Sequence, residues 1–466
     1  MAAKKIAQHP FSQAVELDVT KEQDVSKLVR DHDLVVSLLP ATMHMPIAKL
    51  CIEHKKDLVT ASYVSPAMRE LEKSIKEANL TFVNEVGLDP GLDHMSALKI
   101  IREVFIYLFL FQICFLCVSH SKYRTLFTKF EGMAIANNAY IILLCIVEIP
   151  GDELLLNAQP LQPNPFPAFA LEVLPNRNSL QYLDEYGIPH VHSMFRGTLR
   201  YKGFSKCMAG FRCLGLLSER DFKNEPKESW VLLLLLFSCL STDSGQYLGR
   251  LLNGKTSTSN DTLGIYRRVE DHIKQHGTKM LWDKKQVVDF IESAQWLGLF
   301  GSEELSNVYS TPLQAFCSLL QEKLAFGPDE RDMVLMYHRI ISETADKKTK
   351  AYESSLVCYG NHEYSAMART VGFPVGVVSQ MLLNGMFEVC FVLVVVLSST
   401  VTHINRFFLI DGKLSGKLKN AVGLVSGHHP LIGEQVLNEG TELGITFNEK
   451  ENLDVFAETR KVLEGK

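Results

Sequence analysis

DLVTASYVSPAMRELEKSIKEANLTFVNEVGLDPGLDHM, residues 57–95, is the stretch of sequence that decides the fold. It opens with an apolar run at 57–60, continues with a helix-forming stretch, and returns to an apolar run at 80–84. Short apolar runs that alternate with helices are typical of βαβ units, whose strands form a parallel sheet. Strands that are apolar throughout belong to a sheet that is covered on both faces.

The same rhythm extends towards the N-terminus. An apolar run at 33–39 ends at Pro40, a helical stretch follows at 43–54, and residues 15–19 form a short run that is predicted to be extended. This alternation predicts a Rossmann-like parallel sheet in residues 1–101. The glycine-rich fingerprint GxGxxG of such folds is absent from the sequence. The residues therefore predict a truncated Rossmann-like cofactor domain, which contains only the later part of the sheet.

Two helices of this region have recognisable start signals. Thr20 precedes a helical stretch through Val29, and Gln23 stands where the second residue of a capping box belongs. Ser65 is predicted to cap a helix that continues to about Ala78.

Two more helical segments are predicted nearer the C-terminus. Residues 284–299 form an amphipathic stretch that ends near Gly298. Residues 363–385 are predicted to form a helix, a Gly-Phe-Pro turn and a second helix, because proline usually ends a helix.

The ends of the three predicted strands carry candidate binding residues. They read SLLP at 37–40, TASY at 60–63 and EVGLDPGLDH at 85–94. Ligands of open α/β sheets bind beyond the carboxyl ends of the strands, so these segments are expected to meet at one crevice. Two glycines and a proline surround Asp89, a composition that brings backbone amides and a carboxylate to a ligand. The alternative is that each segment is only a strand-terminating turn.

A charged strand is predicted at FRGTLRYKGF, residues 195–204. In an extended segment, Arg196, Thr198, Arg200 and Lys202 share one face, because side chains alternate along a strand. This face is either a binding surface for anionic groups or the solvated side of an ordinary strand.

Composition excludes some classes of function. The 466 residues carry a formal net charge of −5, and 22% of them are charged. A chain without an excess of cations is not a general binder of nucleic acid or of anionic membranes. Among the 10 cysteines, Cys114 and Cys117 form a CxxC in apolar surroundings without further ligands, so no metal site is predicted. Free thiols fit a reducing compartment, and residues 1–10 show no signal peptide and no clear transit pattern.

Several stretches, which follow one another in the expected order, resemble the glutamate-forming saccharopine dehydrogenase family. LDPGLDH and RGTLRYKG are the most specific of them. The stretches are DLVVSLLP (33–40), DLVTASYVSPAMRELEKSIKEA (57–78), EVGLDPGLDHM (85–95), PNRNSLQYLDEYGI (175–188), FRGTLRYKGF (195–204), AQWLGLFG (294–301), FGPDERDMVLMYH (326–338) and YSAMARTVGFPVGVVSQMLLNG (364–385).

The resemblance implies an oxidoreductase of lysine metabolism. Members of this family interconvert saccharopine with glutamate and aminoadipate semialdehyde. They pass a hydride from the lysine ε-carbon of saccharopine to NAD or NADP, and the resulting imine is hydrolysed. Arginine binds carboxylates in a bidentate manner, so Arg196 is expected to bind a substrate carboxylate. The family fold implies an inserted α+β substrate domain with a helical part.

The resemblance also implies site residues by position. No catalytic residue is identified, since the cofactor carries the hydride chemistry and the protein supplies positioning and electrostatics. Val231 stands where the family usually has a lysine, after the Ser229–Trp230 pair. The expected cofactor-side residues are Leu38, Leu39, Ala61, Ser62, Tyr63 and Asp89; the expected substrate-side residues are Ser62, Tyr63, Asp93, Arg196, Arg200, Ser229 and Trp230.

Two other functions are considered beside this one. A related dehydrogenase would act on another amine-linked substrate, such as a carboxylated polyamine, and a truncated family member would bind no cofactor and have no activity. The resemblance further implies a homodimer and a soluble protein, mitochondrial if it follows the animal members and cytoplasmic otherwise. No nucleic-acid partner is expected.

The sequence departs from the family pattern in two apolar blocks, at 102–147 and 386–410. In the first block, the family's Gly-Gly-Leu-Pro-Ala-Pro-Glu segment is missing, and FIYLFLFQICFLCV (105–118) is present. Three interpretations are open: transmembrane helices, additional core elements, or translated non-coding sequence in place of a coding segment. Residues 105–118 are fewer than the roughly 20 that span a bilayer, which argues against the first. We favour the last, because the composition shifts abruptly, the family segment is lost and the glycine-rich fingerprint is missing.

These observations predict a division into domains. Residues 1–101 form the cofactor domain and 102–147 the atypical insertion. Residues 148–355 form the substrate and dimerisation domain. Residues 356–466 return to the first domain and contain the second insertion, 386–410.

Overall fold

The structure, a computed structural model, describes residues 13, 15–104, 112–119, 138–142, 145–151, 153–176, 178–189, 191, 193–219, 282–299, 309–327, 329–343, 349–385 and 423–453. The chain divides into two compact units. The first unit comprises Met1–Ile106 and Met367–Asn448, and the second comprises Tyr107–Ala366 and Glu449–Lys466.

The described residues form strands and helices that are numbered here in chain order. The strands are β1 (Leu34–Ser37), β2 (Asp57–Thr60), β3 (Thr81–Asn84), β4 (Gln112–Ser119), β5 (Asn138–Ile142), β6 (Cys145–Ile149), β7 (Gln159–Pro160), β8 (Leu171–Pro175), β9 (Ser193–Tyr201), β10 (Met333–Glu343), β11 (Thr349–Tyr359), β12 (Gly423–Ser426) and β13 (Phe447–Leu453). The α-helices are α1 (Glu22–Asp31), α2 (His44–His54), α3 (Pro66–Glu70), α4 (Glu72–Glu77), α5 (Leu92–Val104), α6 (Gln181–Glu185), α7 (Phe204–Cys213), α8 (Lys284–Trp296), α9 (Pro312–Lys323), α10 (Ala366–Leu383) and α11 (Pro430–Glu442).

A four-stranded parallel sheet, in the order β1-β2-β3-β12, forms the centre of the first unit. Every residue of β3 is buried, as expected of an apolar strand inside a covered sheet. The predicted parallel sheet of a Rossmann-like fold is therefore confirmed. The fourth strand, β12, comes from far along the chain and pairs with β3 from Gly423 to Ser426.

Helices pack their apolar sides against this sheet. Leu58 and Phe82 of the sheet form one core with Val29 of α1, Ala48 of α2 and Ile75 of α4. Phe82 and Ile75 are fully buried, and truncation of a buried Phe to Ala typically costs about 3–5 kcal/mol. Burial of this side of the sheet holds the strands, and with them their carboxyl ends, in place.

The predicted start of the first helix is wrong. Helix α1 begins at Glu22, after a Lys21 N-cap that makes no side-chain capping bond. The Thr20 hydroxyl instead donates to the Asp18 carboxylate at 2.6 Å, and the Thr20 backbone N–H donates to the same oxygen. Local bonding of this kind competes with helix capping. Residues 15–19, which were predicted to be extended, contain no strand.

Two other start signals act as predicted. The Ser65 side chain accepts a hydrogen bond from the Met68 backbone N–H at the start of α3. The predicted single helix is divided into α3 and α4 at Leu71, which keeps near-helical backbone angles. Helix α8 matches the amphipathic prediction and begins with a capping box between Asp283 and Gln286.

Helix α10 differs from the predicted pair of helices. It runs without interruption from Ala366 to Leu383, with Pro374 inside it. Proline removes one backbone hydrogen bond, but Val375, Val378 and Met381 are buried and hold the following turns in place. Among the described residues, this is the one helix long and apolar enough to cross a bilayer, and 39% of it is buried. Length and composition alone do not distinguish it from a core helix.

In the described residues of the second unit, a nine-stranded sheet forms the framework. Strand β4 lies between β10, to which it is antiparallel, and β9, to which it is parallel. Residues 112–119 of the first apolar block are thus a sheet strand, which contradicts the transmembrane-helix interpretation for this part. Strands β5 and β6, in the same block, form an antiparallel pair. The second block, 386–410, lies outside the described residues.

A buried carboxylate connects two elements of the second unit. Glu172, in β8, accepts hydrogen bonds from the Gly203 N–H at 3.0 Å and from the Ser205 N–H and hydroxyl at 2.7 and 2.6 Å. These donors lie at the N-terminus of α7, where backbone N–H groups have no partner within the helix. Glu172 therefore fixes the start of α7 against the sheet.

Replacement of Glu172 by Gln is expected to lower the free energy of unfolding by about 1–3 kcal/mol. The amide places an N–H₂ group against one of the N–H donors, which leaves a buried donor unsatisfied. Chemical denaturation measured by circular dichroism tests the change. Glu292→Gln, at an exposed position of α8, is the matched control and should have no effect. A Glu172→Gln variant as stable as this control would contradict the anchoring role.

Candidate active site

The four parallel strands of the first unit bring polar side chains together at their carboxyl edge. Ser37 ends β1, Thr60 ends β2, and Ser426 ends β12. Glu85 follows β3 directly, and its backbone N–H bonds to the carbonyl of Ser62 at 3.1 Å. The strand ends that were predicted to converge are therefore adjacent, and a fourth segment joins them.

Tyr63 and Asp89 form the most exposed polar pair of this edge. The Tyr63 phenol donates a hydrogen bond of 2.5 Å to Oδ1 of Asp89. Tyr63 is half-buried and Asp89 is exposed, so both groups are accessible to a ligand in the crevice. A phenol held on a carboxylate can give up or take up a proton, which makes the pair a candidate for general acid–base chemistry.

The segment that carries Asp89 is a tight backbone turn. The Gly87 N–H bonds to the carbonyl of Pro90 at 2.9 Å, and the Asp93 carboxylate accepts the N–H of Gly91 at 2.8 Å. Gly91 has a φ of 150°, in the region that favours glycine. Asp93, predicted on the substrate side, is buried and serves the turn in this structure.

His44 connects the ends of β1 and β2 beneath this surface. Its Nδ1 lies 2.8 Å from the Ser37 hydroxyl, and its Nε2 lies 2.7 Å from the Ser62 hydroxyl and 3.4 Å from that of Thr60. The ring is 4% exposed. Burial lowers the pKa of His44 below its ordinary value of 6.5, so the imidazole is neutral at physiological pH.

Glu85 holds three segments together at the centre of the edge. Its carboxylate accepts the backbone N–H of Val64 at 3.0 Å and the hydroxyl of Ser426 at 2.5 Å. Nε2 of His428 lies 3.3 Å from the same carboxylate. Glu85 adopts a φ of 64°, which is unusual for a residue with a side chain. These contacts explain how the strained backbone is maintained.

The cofactor-side residues predicted at the end of β1 line an apolar cavity, and Ala61, predicted at the end of β2, lies beside Gly87. Leu38 and Leu39 contribute to a cavity of about 440 Å³ that Val25, Val29 and other residues of β1 and α1 also line. Leu38 is 61% exposed. Ala61 lies so close to Gly87 that a Cβ atom added at Gly87 would be 2.9 Å from the Cβ of Ala61.

The predicted arginines belong to the second unit and lie in strand β9. The Arg196 side chain is 1% exposed, and its guanidinium carbon lies 4.2 Å from the centre of the Tyr182 ring. This burial contradicts the alternative of a solvated strand face at Arg196. Arg200 is half-buried and donates from Nη1 to the Leu199 carbonyl at 2.8 Å. Ser229 and Trp230 lie outside the described residues.

Among the described residues, one cluster has residue types that can bind a metal. The ligand atoms of Asp89, Asp93 and His94 lie within 4.8 Å of one another. The carboxylates of Asp89 and Asp93 already accept hydrogen bonds from Tyr63 and Gly91.

Three residues of the edge were not predicted individually as site residues, although Glu85 opens the predicted segment 85–94. His44 stands seven positions after Ser37, across a short 3₁₀ turn (Ala41–Met43), and that short separation was an available signal. Glu85 could have been found as a charged residue placed directly after an apolar strand. Ser426 had no signal, because its contact with Glu85 joins residues 341 positions apart.

A parallel sheet whose carboxyl edge carries polar groups, beside an apolar cavity, defines the class of Rossmann-like α/β proteins that bind nucleotides at this edge. Two family models match the chain: the saccharopine dehydrogenase NADP binding domain over residues 1–83 and the saccharopine dehydrogenase C-terminal domain over residues 134–395. The chain belongs to the saccharopine dehydrogenase family, as the resemblance indicated.

Individual relatives agree with this assignment. The saccharopine dehydrogenase [NADP(+), L-glutamate-forming] of Saccharomyces cerevisiae is 34% identical over 397 residues, which are 82% of this chain and 83% of the relative. The mitochondrial alpha-aminoadipic semialdehyde synthase of Rattus norvegicus is 34% identical over 391 residues, 80% of this chain. The chain spans 39% of the length of that rat protein.

A solved structure shows the same fold. The apo histidine-tagged saccharopine dehydrogenase (L-Glu forming) from Saccharomyces cerevisiae matches with a TM-score of 0.72 and 29% identity. The match covers 96% of this chain and 91% of the yeast chain.

Proposed function

We propose that this chain is a nicotinamide-dependent oxidoreductase that interconverts saccharopine with L-glutamate and aminoadipate semialdehyde. The observation that carries the proposal is the Tyr63–Asp89 pair. It lies at the carboxyl edge of the parallel sheet, in a chain whose first residues match the NADP binding domain of the family. Relatives that bear the name of this reaction support the choice of substrate.

The residues at the edge fit a dinucleotide. Leu38 offers exposed apolar surface beyond β1, suited to a flat ring, and Ser62 and Tyr63 offer hydroxyl groups beyond β2. Because Gly87 lies so close to Ala61, a side chain does not fit at position 87, and the backbone there stays free of bulky side chains. When it is bound, the cofactor, NADP by the name of the family domain, supplies the hydride acceptor. NAD is the alternative that the assay below distinguishes.

The proton steps are assigned to Tyr63 and Asp89. Conversion of the secondary amine to an imine requires the loss of the nitrogen proton, and hydrolysis then adds water across the C=N bond. The Tyr63 oxygen takes up the substrate proton while the phenol proton passes to the Asp89 carboxylate. The reverse transfer delivers a proton to the departing amine of glutamate. Correctly placed acid–base groups of this kind typically contribute about 10²- to 10⁴-fold in rate.

The substrate carboxylates are assigned to the arginines of β9. Arg196 is the primary candidate, because a carboxylate that reaches its buried guanidinium forms a strong charge-assisted bidentate contact. Arg200 is the second candidate. Ser62, Tyr63, Asp93, Ser229 and Trp230 remain the other substrate-side predictions. A homodimer and, for an animal-like member, a mitochondrial location also remain predictions.

Reduction of cofactor by the purified chain tests the proposal. With saccharopine, we expect reduced nicotinamide to accumulate faster with NADP than with NAD, together with glutamate in equal amount. Turnover of a carboxylated polyamine but not of saccharopine would indicate the related dehydrogenase. If calorimetric titration shows no binding of NADP or NAD at millimolar concentration, the chain is a non-catalytic family member and the proposal fails.

A further inference from the structure

We propose that His44 is a positioning residue, which fixes the orientation of the Ser62 hydroxyl towards the ligand in the crevice. This inference rests on the proposed function, since it requires Ser62 to contact the cofactor or the substrate. It concerns a residue that makes no predicted ligand contact itself. His44 acts from beneath the crevice, at the first position of α2.

The geometry of the imidazole fixes both of its nitrogens. Nδ1 lies 2.8 Å from Oγ of Ser37, and Nε2 lies 2.7 Å from Oγ of Ser62. Since the ring is buried, it has no alternative solvent partner for either nitrogen. A neutral imidazole has one N–H donor and one acceptor nitrogen. One serine therefore accepts a hydrogen bond from the ring, and the other donates one to it.

Thr60 lies beside this chain of hydrogen bonds. Its Oγ1 already accepts the backbone N–H of Ser62 at 3.2 Å, and it lies 3.4 Å from Nε2 of His44. Two tautomers of the ring satisfy these contacts. With the proton on Nδ1, the ring donates to Ser37 and accepts from Ser62, whose oxygen lone pairs then face the crevice. With the proton on Nε2, the ring donates to Ser62, whose hydroxyl proton is then available to the crevice.

The tautomer determines the ligand group that Ser62 binds. A lone pair on Ser62 suits a hydrogen-bond donor, such as a carboxamide N–H₂, a ribose hydroxyl or a protonated amine, and a proton on Ser62 suits a carboxylate or a phosphate oxygen. Both NADP and saccharopine carry groups of these kinds. If the ring were absent, the Ser62 hydroxyl would rotate freely and lose this preference, although the rest of the edge would stay in place.

A double-mutant cycle between His44 and Ser62 tests the inference through the NADP dissociation constant, measured by calorimetric titration, and through kcat/KM for saccharopine. If Ser62 contacts NADP, Ser62→Ala is expected to raise the NADP dissociation constant about tenfold. If Ser62 contacts saccharopine, the same substitution is expected to lower kcat/KM about tenfold. His44→Phe, which fills the site without hydrogen bonds, should cause a similar loss. The double variant should lose no more than either single variant, because residues that act as a unit are non-additive.

Further variants separate positioning from folding. His44→Gln retains a group that can reach Ser62 and should recover most of the lost affinity, whereas an unfolded His44→Phe protein would be recognised by circular dichroism. His54→Phe is the matched control: it breaks a His–Ser pair of 2.7 Å, with Ser26, at the other end of the same helix. This control should leave NADP affinity unchanged.

The outcomes distinguish this inference from the proposed function. If Ser62→Ala weakens binding but a folded His44→Phe does not, or if the two losses add, His44 does not act through Ser62. If Ser62→Ala has no effect on either readout, the predicted ligand contact of Ser62 is wrong, and the role of His44 falls with it. A wild-type chain that binds neither NADP nor NAD would overturn both.

Discussion

Replacement of Tyr63 by Phe, or of Asp89 by Asn, is expected to lower kcat for saccharopine by about 10²-fold or more, with a much smaller change in KM. The two side chains share one hydrogen bond of 2.5 Å, and each depends on the other for proton transfer. Both substitutions keep the size and shape of the original groups, so the turn and the strand ends remain intact. Steady-state kinetics with saturating cofactor measures the effect.

The double variant and a matched control complete this experiment. Because the two residues act as a unit, Tyr63→Phe combined with Asp89→Asn should be no slower than the worse single variant. Tyr364→Phe is the control, since Tyr364 also bonds to a carboxylate, that of Glu363, but belongs to the second unit. It should retain wild-type kcat. If both crevice variants stay within threefold of wild type, the acid–base role is excluded.

The sheet of the first unit could be predicted because its information is local. Apolar runs at β1, β2 and β3 and the Ser65 cap each depend on a few neighbouring residues, and these predictions are confirmed. The prediction that Thr20 caps the first helix was wrong although it was also local, because Asp18, two residues away, binds the Thr20 hydroxyl instead. The prediction that the helix ends before Pro374 was wrong for a non-local reason: burial of the residues that follow Pro374 outweighs the local cost of proline.

The candidate site was predictable only in part, for a related reason. Ser62, Tyr63 and Asp89 follow apolar strands, so the sheet rule places them at one edge, but no sequence rule brings the Tyr63 phenol onto the Asp89 carboxylate. That contact depends on the shape of the turn at 87–94. The contribution of β12 depends on its pairing with β3, more than 300 residues away along the chain. Local sequence propensities do not predict such a pairing.

The turn that carries Asp89 leaves no space for a side chain at Gly91. A Cβ atom there would lie 2.0 Å from the carbonyl oxygen of Gly87 and 2.5 Å from the backbone nitrogen of the same residue. Both obstacles are backbone atoms, which cannot rotate away as the end of a flexible side chain can. The φ of 150° adds strain of its own for any residue with a Cβ.

Gly91→Ala is therefore expected to lower the free energy of unfolding by about 3 kcal/mol or more and to abolish turnover, since any relief of the clash moves Asp89. Substitutions at two other glycines separate the effect of backbone strain from that of the steric clash. Gly187 has a φ of 67° with nothing within 4 Å of the added atom, so Gly187→Ala measures backbone strain alone, about 1 kcal/mol. Gly372, inside α10 with equally open space, should become neutral or slightly more stable as Ala. Denaturant unfolding of the three variants should rank Gly91→Ala far below the others. If it is as stable as Gly187→Ala, the turn adapts to a side chain, and Gly91 is not what fixes the position of Asp89.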